Sequence, residues 1–213
     1  MSSIDHFMIA ANDLDRLAAH FTETTGVPVA PGGSHADLGT RNKLIATTSE
    51  IYLELIAPDP ALAKRSDLRE AIEGIETPQL HRIIALSSLD RFPAIVAAYR
   101  RAGVPAEVKP LSRQSASGEM LHWHLLMPAG RNAYGVFAPL FIDWGTATHP
   151  SRSLPPAPCT VREVVARHTD PEAIRDLWQS VGFDLPLQQG QESSIVLTLD
   201  TPRGPVEFES ARL

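Results

Sequence analysis

The sequence predicts an α+β protein made of two paired β-α-β-β-β modules and a third, degenerate copy of the same unit. Three observations support this class: an internal repeat, apolar strand-like runs that alternate with amphipathic helices, and a Pro-rich stretch before the C-terminal part. The repeated segments are "DHFMIAANDLDRLAAHFTETTGVPV" and "LHRIIALSSLDRFPAIVAAYRRAGVPA". Each passes from a histidine through a short strand to Leu-Asp-Arg and ends at Gly-Val-Pro, which indicates a duplicated unit.

The first helix of each module has start and stop signals. Residues able to cap a helix precede it, and a glycine followed closely by a proline ends it. These residues are Asn12, Asp13, Gly26 and Pro28 in the first copy and Ser87, Ser88, Gly103 and Pro105 in the second. The strands predicted after each helix cover 40–47 and 50–57 in the first copy and 105–111, 119–127 and 135–144 in the second.

A third, fainter copy follows the Pro-rich stretch "HPSRSLPPAPC", whose composition is typical of a boundary. It is predicted to contain a strand, a helix that begins near 169–171 and ends at Gly182, and a hairpin turning at "TPRG". Arg162 stands where the other copies have histidine. We expect this module to bind no metal and to cover one end of the pair or form a dimer contact.

These signals divide the chain into five parts. They are a first module (1–62), a connecting helix (63–78), a second module (79–147), a Pro-rich linker (148–159) and the third module (160–213).

Composition narrows the class of partner. The formal net charge is −6 and no basic run occurs, which disfavours nucleic acid or an anionic membrane as the main partner. Cys159 is the single cysteine and "MSSIDHFMIA" does not resemble a signal peptide, so the expected location is a reducing cytoplasm. No stretch approaches the roughly 18 apolar residues of a membrane-spanning helix. A small molecule is the expected partner.

Polar side chains interrupt several of the predicted strands. Glu54 lies inside "YLELIAP", where an unpaired carboxylate would be costly. Because strand residues alternate between faces, Glu54 shares a face with Tyr52 and Ile56, and His6 shares one with Met8. If the modules pair, Glu54 and three other polar groups would point into one concave space. The other three are His6, His81 and Asp143.

The sequence resembles the glyoxalase-like branch of the vicinal oxygen chelate superfamily, which also includes bleomycin-resistance proteins and extradiol dioxygenases. The resemblance covers most of residues 4–150 and rests on "DHFMIAANDLDRL", "PGGSHADLGTRNKLI", "YLELIAP" and "LFIDWG" followed by "HP". It implies a half-open barrel in which strand side chains from two modules hold a divalent ion. Carried over to this sequence, it makes His6, Glu54, His81 and Asp143 the candidate metal ligands.

Two imidazoles and two carboxylates suit Zn, Mn, Fe(II) or Ni. Together with the resemblance, this set predicts a metal-dependent lyase, isomerase or dioxygenase that acts on a small oxygen-chelating substrate. The metal would act as Lewis acid, and Glu54 or His124 would move the proton. The alternatives are a metal-free protein of the same fold that binds or sequesters a small molecule, and a vestigial site in an assembly partner. A homodimer is possible in each case.

Further candidates surround the predicted cleft. His122 and His124 lie two apart in "LHWHLLMP", on one strand face, where they could chelate zinc or iron, contact substrate or face solvent. The resemblance suggests that the "GGSHADLGTRN" loop borders the pocket and that Thr40 and Asn42 bind substrate. For His35, in the same loop, an ordinary turn position is the favoured interpretation.

Overall fold

The computed structural model describes residues 2–114, 118, 120–128 and 132–212. Position 119, the first residue of one predicted strand, lies outside these residues. The elements, in chain order, are β1 (Ile4–Ala10), α1 (Leu14–Thr25), β2 (Ala30–His35), β3 (Thr40–Ala46), β4 (Tyr52–Pro58), α2 (Asp67–Glu73), β5 (Gln79–Leu86), α3 (Phe92–Arg101), β6 (Ala106–Gln114), β7 (Met120–Pro128), β8 (Leu140–Asp143), β9 (Thr160–His168), α4 (Pro171–Val181), β10 (Leu187–Gln189), β11 (Ser194–Thr201) and β12 (Gly204–Glu209).

One eight-stranded sheet contains both modules. Its strand order is β2-β3-β4-β1-β5-β8-β7-β6, so the two halves repeat one arrangement in opposite directions. The central pair, β1 and β5, is antiparallel, whereas β1 with β4 and β5 with β8 are parallel. The edge strands β2 and β6 contact each other. The sheet therefore curls until its ends meet and encloses a concave space.

Helix α1 of the first module begins and ends at the capping residues predicted for it. The Asp13 side chain accepts hydrogen bonds from the backbone N–H groups of Asp15 and Arg16, and Gly26 ends α1 with φ of 73°. In the second module, a 3-10 turn over Leu89–Arg91 precedes α3, and Ser88 makes no side-chain capping bond to it. Instead, the Leu89 N–H donates a hydrogen bond to the Asp143 carboxylate of β8.

Buried apolar side chains form two clusters on opposite faces of this sheet. The larger cluster lies between the convex face, helices α1, α3 and α4, and the third module; Phe7, Phe21 and Tyr99 belong to it. The smaller cluster lines the concave face and includes Leu68 and Ile72 of α2. Because both faces are covered, β1 and β4 are buried almost throughout.

Two local predictions differ from the structure. The glycine-rich stretch 30–35 was not among the predicted strands, but it forms edge strand β2 beside β3. The run 135–144 was predicted as one strand, but a 3-10 turn over Gly135–Phe137 precedes the short β8. In both cases tertiary pairing, rather than local propensity, sets the limits of the strand. The predicted α+β class is confirmed.

The third module forms a separate four-stranded sheet, ordered β10-β9-β11-β12. Its helix α4 begins after Asp170, which accepts a hydrogen bond from Ala173 N, and ends at Gly182. Trp178 of α4 is buried, and its indole N–H donates to the Phe137 carbonyl at 2.7 Å. The third module thus packs on the second through a specific bond.

Replacement of Trp178 tests this junction. We expect Trp178→Phe to lower the free energy of unfolding by about 2 kcal/mol, since it leaves a buried carbonyl unsatisfied and shrinks a packed side chain. Urea unfolding followed by circular dichroism measures the change. Arg162→Gln on the same module removes an exposed pair with Asp200 and should change stability by less than about 1 kcal/mol. Equal effects of the two changes would contradict the junction's importance.

Candidate functional site

A cavity of about 50 Å³ lies inside the curled sheet, with room for about four water molecules. Its polar lining from the first module consists of His6, His35, Asn42, Tyr52 and Glu54. The second module contributes one charged group, Arg113, and otherwise apolar or aromatic side chains. These are Ile84, Leu111, Trp123, Leu125, Ile142 and Trp144.

The polar wall is organised by an Asp5–His6–Glu54 chain. His6 Nδ1 donates to Asp5 Oδ1 at 2.5 Å, and His6 Nε2 lies 3.4 Å from Glu54 Oε2. All three residues are at most 5% exposed. The Tyr52 ring stacks on the imidazole at a centroid distance of 4.4 Å. The carboxylate predicted to need a partner therefore faces His6.

The two charges stabilise each other strongly. Burial alone would lower the pKa of His6, but the hydrogen bonds to Asp5 and Glu54 outweigh it and raise this pKa to about 9. Burial would raise the pKa of Glu54, but the bond and charge of His6 lower it to about 2. The pKa of Asp5 lies well below its usual range because its bonds to His149 and His6 outweigh burial. At neutral pH the chain holds an imidazolium between two carboxylates.

Asn42 fixes the other side of Glu54. Its Nδ2 donates to Glu54 Oε1 at 2.6 Å, while its Oδ1 accepts from Gly33 N at 2.9 Å. The second Nδ2 hydrogen points to His35 Nε2, 3.3 Å away. A β-carbon at Gly32 would overlap Asn42 Oδ1, so the Gly-Gly sequence permits this close approach.

The hydrogen bond from Asn42 determines which ring nitrogen of His35 carries the hydrogen. Because Nε2 accepts, Nδ1 carries the hydrogen and donates to Thr40 Oγ1 at 3.0 Å. Burial lowers the pKa of His35, despite the nearby charge of Glu54. His35 is therefore a neutral imidazole, and Thr40 acts by orienting it.

Asp5 also ties the segment after β8 to the polar wall. Its Oδ2 accepts from Trp144 Nε1 and from His149 Nε2, both at 2.9 Å. The Asp5 carboxylate, with a fully buried side chain, thereby receives hydrogen bonds from three side chains. Trp144 in turn packs beside Trp123 with ring centroids 5.3 Å apart.

The predicted ligand His81 is not brought to Glu54. In the pairing of β1 with β5, Met8 lies opposite Arg82 and Ile9 opposite Leu80, so His81 is the extra residue of a bulge. The position opposite His6 is Ile84, which lines the cavity. His81 is buried and its Nε2 has no hydrogen-bond partner.

Asp143 also points away from the cavity. On β8 and just beyond it, Ile142 and Trp144 line the cavity, so alternation directs the residue between them to the other face. The Asp143 carboxylate accepts instead from Leu89 N and Gly145 N. Its role is to hold the turn before α3.

The histidine pair of β7 occupies the same outer face. Trp123 and Leu125 line the cavity, and strand alternation places His122 and His124 on the opposite side. His122 is exposed, whereas His124 pairs with Asp143 in the β7–β8 register. Neither histidine lies among the residues that border the cavity.

The predicted metal set is therefore not assembled. His6 and Glu54 meet, but the second module presents Ile84 and Ile142 where it should present ligands. Within the described part of the chain, no group of three or more His, Cys, Asp or Glu side chains is arranged to hold a metal ion. These residues do not fit a divalent ion held by both modules.

Several residues of the site were missed or misjudged from the sequence. His35 was interpreted as a turn residue, although it borders the cavity; Asp5, Arg113 and His149 were not singled out for the site. The one available signal for Asp5 was its position directly before His6 in a strand. Arg113 offered none, since its placement depends on the curl of the sheet.

The fold and the cavity define a paired-module protein of the vicinal oxygen chelate class. The glyoxalase-like domain model matches residues 4–182, and the chain belongs to this family. The predicted superfamily and its glyoxalase-like branch are thus confirmed. No curated protein matches the chain.

Several solved structures are similar to this chain. A hypothetical protein from Staphylococcus aureus is 15% identical, with a TM-score of 0.64, and the match covers 99% of this chain and 86% of that one. Methylmalonyl-CoA epimerase from Streptomyces coelicolor is 21% identical over 70% of this chain and 99% of its own, with a TM-score of 0.49. The corresponding enzyme from Mycobacterium tuberculosis is 20% identical over 66% and 85%, with a TM-score of 0.43.

Among the residues that the structure describes, no helix combines the length and apolar character needed to cross a membrane.

Proposed function

We propose that this chain binds a small molecule inside the curled sheet without a metal ion, and that the His6–Glu54 pair anchors the polar end of that molecule. The observation that carries the proposal is the state of Glu54. This buried carboxylate lies 3.4 Å from the His6 imidazole and accepts from Asn42 at 2.6 Å. Its charge is offset within the protein, so its burial does not call for a bound cation.

The protonation states support binding over proton transfer. A general acid or base works best when its pKa lies near the operating pH. The pKa of His6 is raised to about 9 because its bonds to Asp5 and Glu54 outweigh burial, and that of Glu54 is lowered to about 2 because the bond and charge of His6 outweigh burial. At neutral pH both groups are fixed in their charged forms, which suits a permanent polar anchor.

A metal-dependent lyase, isomerase or dioxygenase is the second candidate function. The observation in its favour is that His6 and Glu54, from different strands, face each other, and that His35 Nε2 lies 3.9 Å from Glu54 Oε1. Glu54 is the one predicted catalytic residue on the cavity wall, since His124 is not among the residues that border it. The homodimer and the cytoplasmic location stay predictions.

Metal content separates the two candidates. We expect untagged protein, purified without chelator, to contain only traces of Zn, Mn, Fe and Ni by elemental analysis. A stoichiometric metal that disappears in both His6→Ala and Glu54→Gln would overturn the proposal in favour of the enzyme. Glu70→Gln, which removes an exposed carboxylate, is the matched control and should leave metal content unchanged.

Ligand binding tests the pocket directly. Benzamide and isobutyramide are uncharged probes, and binding is measured by tryptophan fluorescence, since Trp123 and Trp144 both line the cavity. We expect saturable binding that is lost in Ile84→Phe, which fills the cavity, and kept in Leu89→Phe, which enlarges an exposed side chain. Circular dichroism checks the fold of each variant. No saturable signal from these amides or from the matching acids would contradict the proposal.

A further inference from the structure

The cavity has two chemically unlike walls. The first module supplies most of the hydrogen-bonding and charged side chains, led by His6, Glu54 and Asn42, beside apolar ones such as Met8 and Ile56. The second module supplies a mostly apolar surface, including Trp123 and Trp144. A molecule that satisfies both walls needs an apolar body and a polar end.

Arg113 is the exception on the apolar wall. It lies on β6, lines the cavity and is only 6% exposed. Its charge acts across the cavity on His35 and Tyr52 of the first module. A guanidinium in such a place is costly unless an anion or several acceptors satisfy it.

The acids near the cavity are engaged elsewhere. Glu54 is paired with His6 and Asn42, and Asp5 with His6, Trp144 and His149. Among residues 2–114, 118, 120–128 and 132–212, no carboxylate forms an ion pair with Arg113, as the salt bridges of this part of the chain involve other cations. The acids of this described part of the chain therefore leave the charge of Arg113 for another partner.

We propose that the natural ligand is a small carboxylic acid with an apolar body, and that Arg113 binds the carboxylate at the polar end that the His6–Glu54 pair also contacts. The inference rests on the proposed function and names the ligand class for the same pocket. Arg113 offers a planar fork of N–H donors that matches a carboxylate. The body of the ligand lies against Trp123 and Trp144, and the small cavity favours a compact acid.

Matched acid and amide probes test the charge. The pairs are isobutyrate with isobutyramide, benzoate with benzamide, and phenylacetate with phenylacetamide, titrated at neutral pH by tryptophan fluorescence. We expect each accommodated acid to bind about tenfold or more tightly than its amide, the size of effect that a charge-assisted pair provides in a buried site. Equal affinity of acid and amide in the wild-type protein would overturn the inference while leaving the proposed function standing.

Variants assign the preference to Arg113. Arg113→Met should bring the ratio of acid to amide affinity close to one, and Arg113→Lys should keep part of the preference because the positive charge remains. Arg162→Gln, an exposed arginine of the third module, should keep the wild-type ratio. An unchanged ratio in a folded Arg113→Met variant would overturn the role of Arg113. If that variant does not fold, the ratio of acid to amide affinity in the wild-type protein and in Arg113→Lys tests the role of Arg113 instead. If none of the acids and amides binds, the proposed function itself is contradicted.

Discussion

Asp5→Asn is expected to lower the free energy of unfolding by about 3 kcal/mol, the scale of breaking a buried charge pair from one side. The substitution keeps the size of the side chain and removes its charge. His6 then holds its proton with one anion fewer, and the Trp144 and His149 donors lose a carboxylate acceptor. Equilibrium urea unfolding at neutral pH measures the change.

The matched control is Asp15→Asn. Asp15 has two cationic partners, Arg41 and Lys43, and its side chain is 67% exposed. Pairs of this kind contribute at most about 1 kcal/mol. A loss in Asp5→Asn no larger than that in Asp15→Asn would contradict the central role of the buried chain.

A second measurement separates electrostatics from packing. The raised pKa of His6 depends, against the effect of burial, on its bonds to Asp5 and Glu54. We therefore expect Asp5→Asn to lower the pKa of His6, as followed by the pH dependence of its ring NMR signals. A purely structural role of Asp5 would leave this pKa unchanged.

The sequence was sufficient where the decisive signal is local. The apolar neighbours of Glu54 in "YLELIAP" and the alternation of a regular strand predict which side chains share its face. Tyr52, Glu54 and Ile56 indeed line the cavity together. The same reasoning predicted that His6 belongs with Met8, which also borders the cavity.

The sequence-based predictions were wrong where the side chains that face the cavity depend on pairing between distant strands. His81 repeats the position of His6 in the sequence, but a bulge and the register with β1 give the cavity position to Ile84. Asp143 was assigned to the cavity face, but Ile142 and Trp144 occupy that face. Neither register nor bulge can be derived from the strand's own residues.

His35 and Arg113 show a further limit. They lie on β2 and β6, the two edges of the sheet, and line the same cavity only because those edges meet. The curl that brings the edges together is a property of the whole sheet. The residues of either segment alone give no sign of this contact, and 30–35 was not even predicted to be a strand.

Acidification is expected to lower the free energy of unfolding through His81, and this is the second of the two largest effects we predict. Burial, assisted by the nearby charge of Arg82, lowers the pKa of this imidazole to about 3. An unfolded chain takes up the proton near the ordinary value of about 6.5. Between these values the unfolded state binds more protons, so stability falls as the pH falls below about 6.5 and is independent of this group above it. From pH 6.5 to 4.5 the loss is about 2.5 kcal/mol.

Other groups contribute to the pH profile and must be distinguished. Buried His35, whose pKa is also lowered, acts in the same direction. His6 acts at the other end, because its raised pKa gives stability that is lost as the pH rises from about 6.5 through 9. Asp5 and Glu54, whose pKa values are lowered, lose their contribution only below the ordinary carboxyl range.

His81→Leu isolates the contribution of His81. The Nε2 atom of His81 has no partner to lose, so an apolar side chain of similar size should leave stability at pH 7 nearly unchanged. Between pH 6.5 and 4.5 the contribution of about 2.5 kcal/mol should disappear, and near pH 4.5 the slope of unfolding free energy against pH should fall by about 1.4 kcal/mol per pH unit, the value for one proton. His20→Leu, at an exposed position of α1, is the matched control and should keep the wild-type slope because it leaves the surroundings of His81 unchanged. If His81→Leu and the wild-type protein lose stability in parallel on acidification, then His81 takes up its proton equally in the folded and unfolded chains, and burial does not keep it neutral.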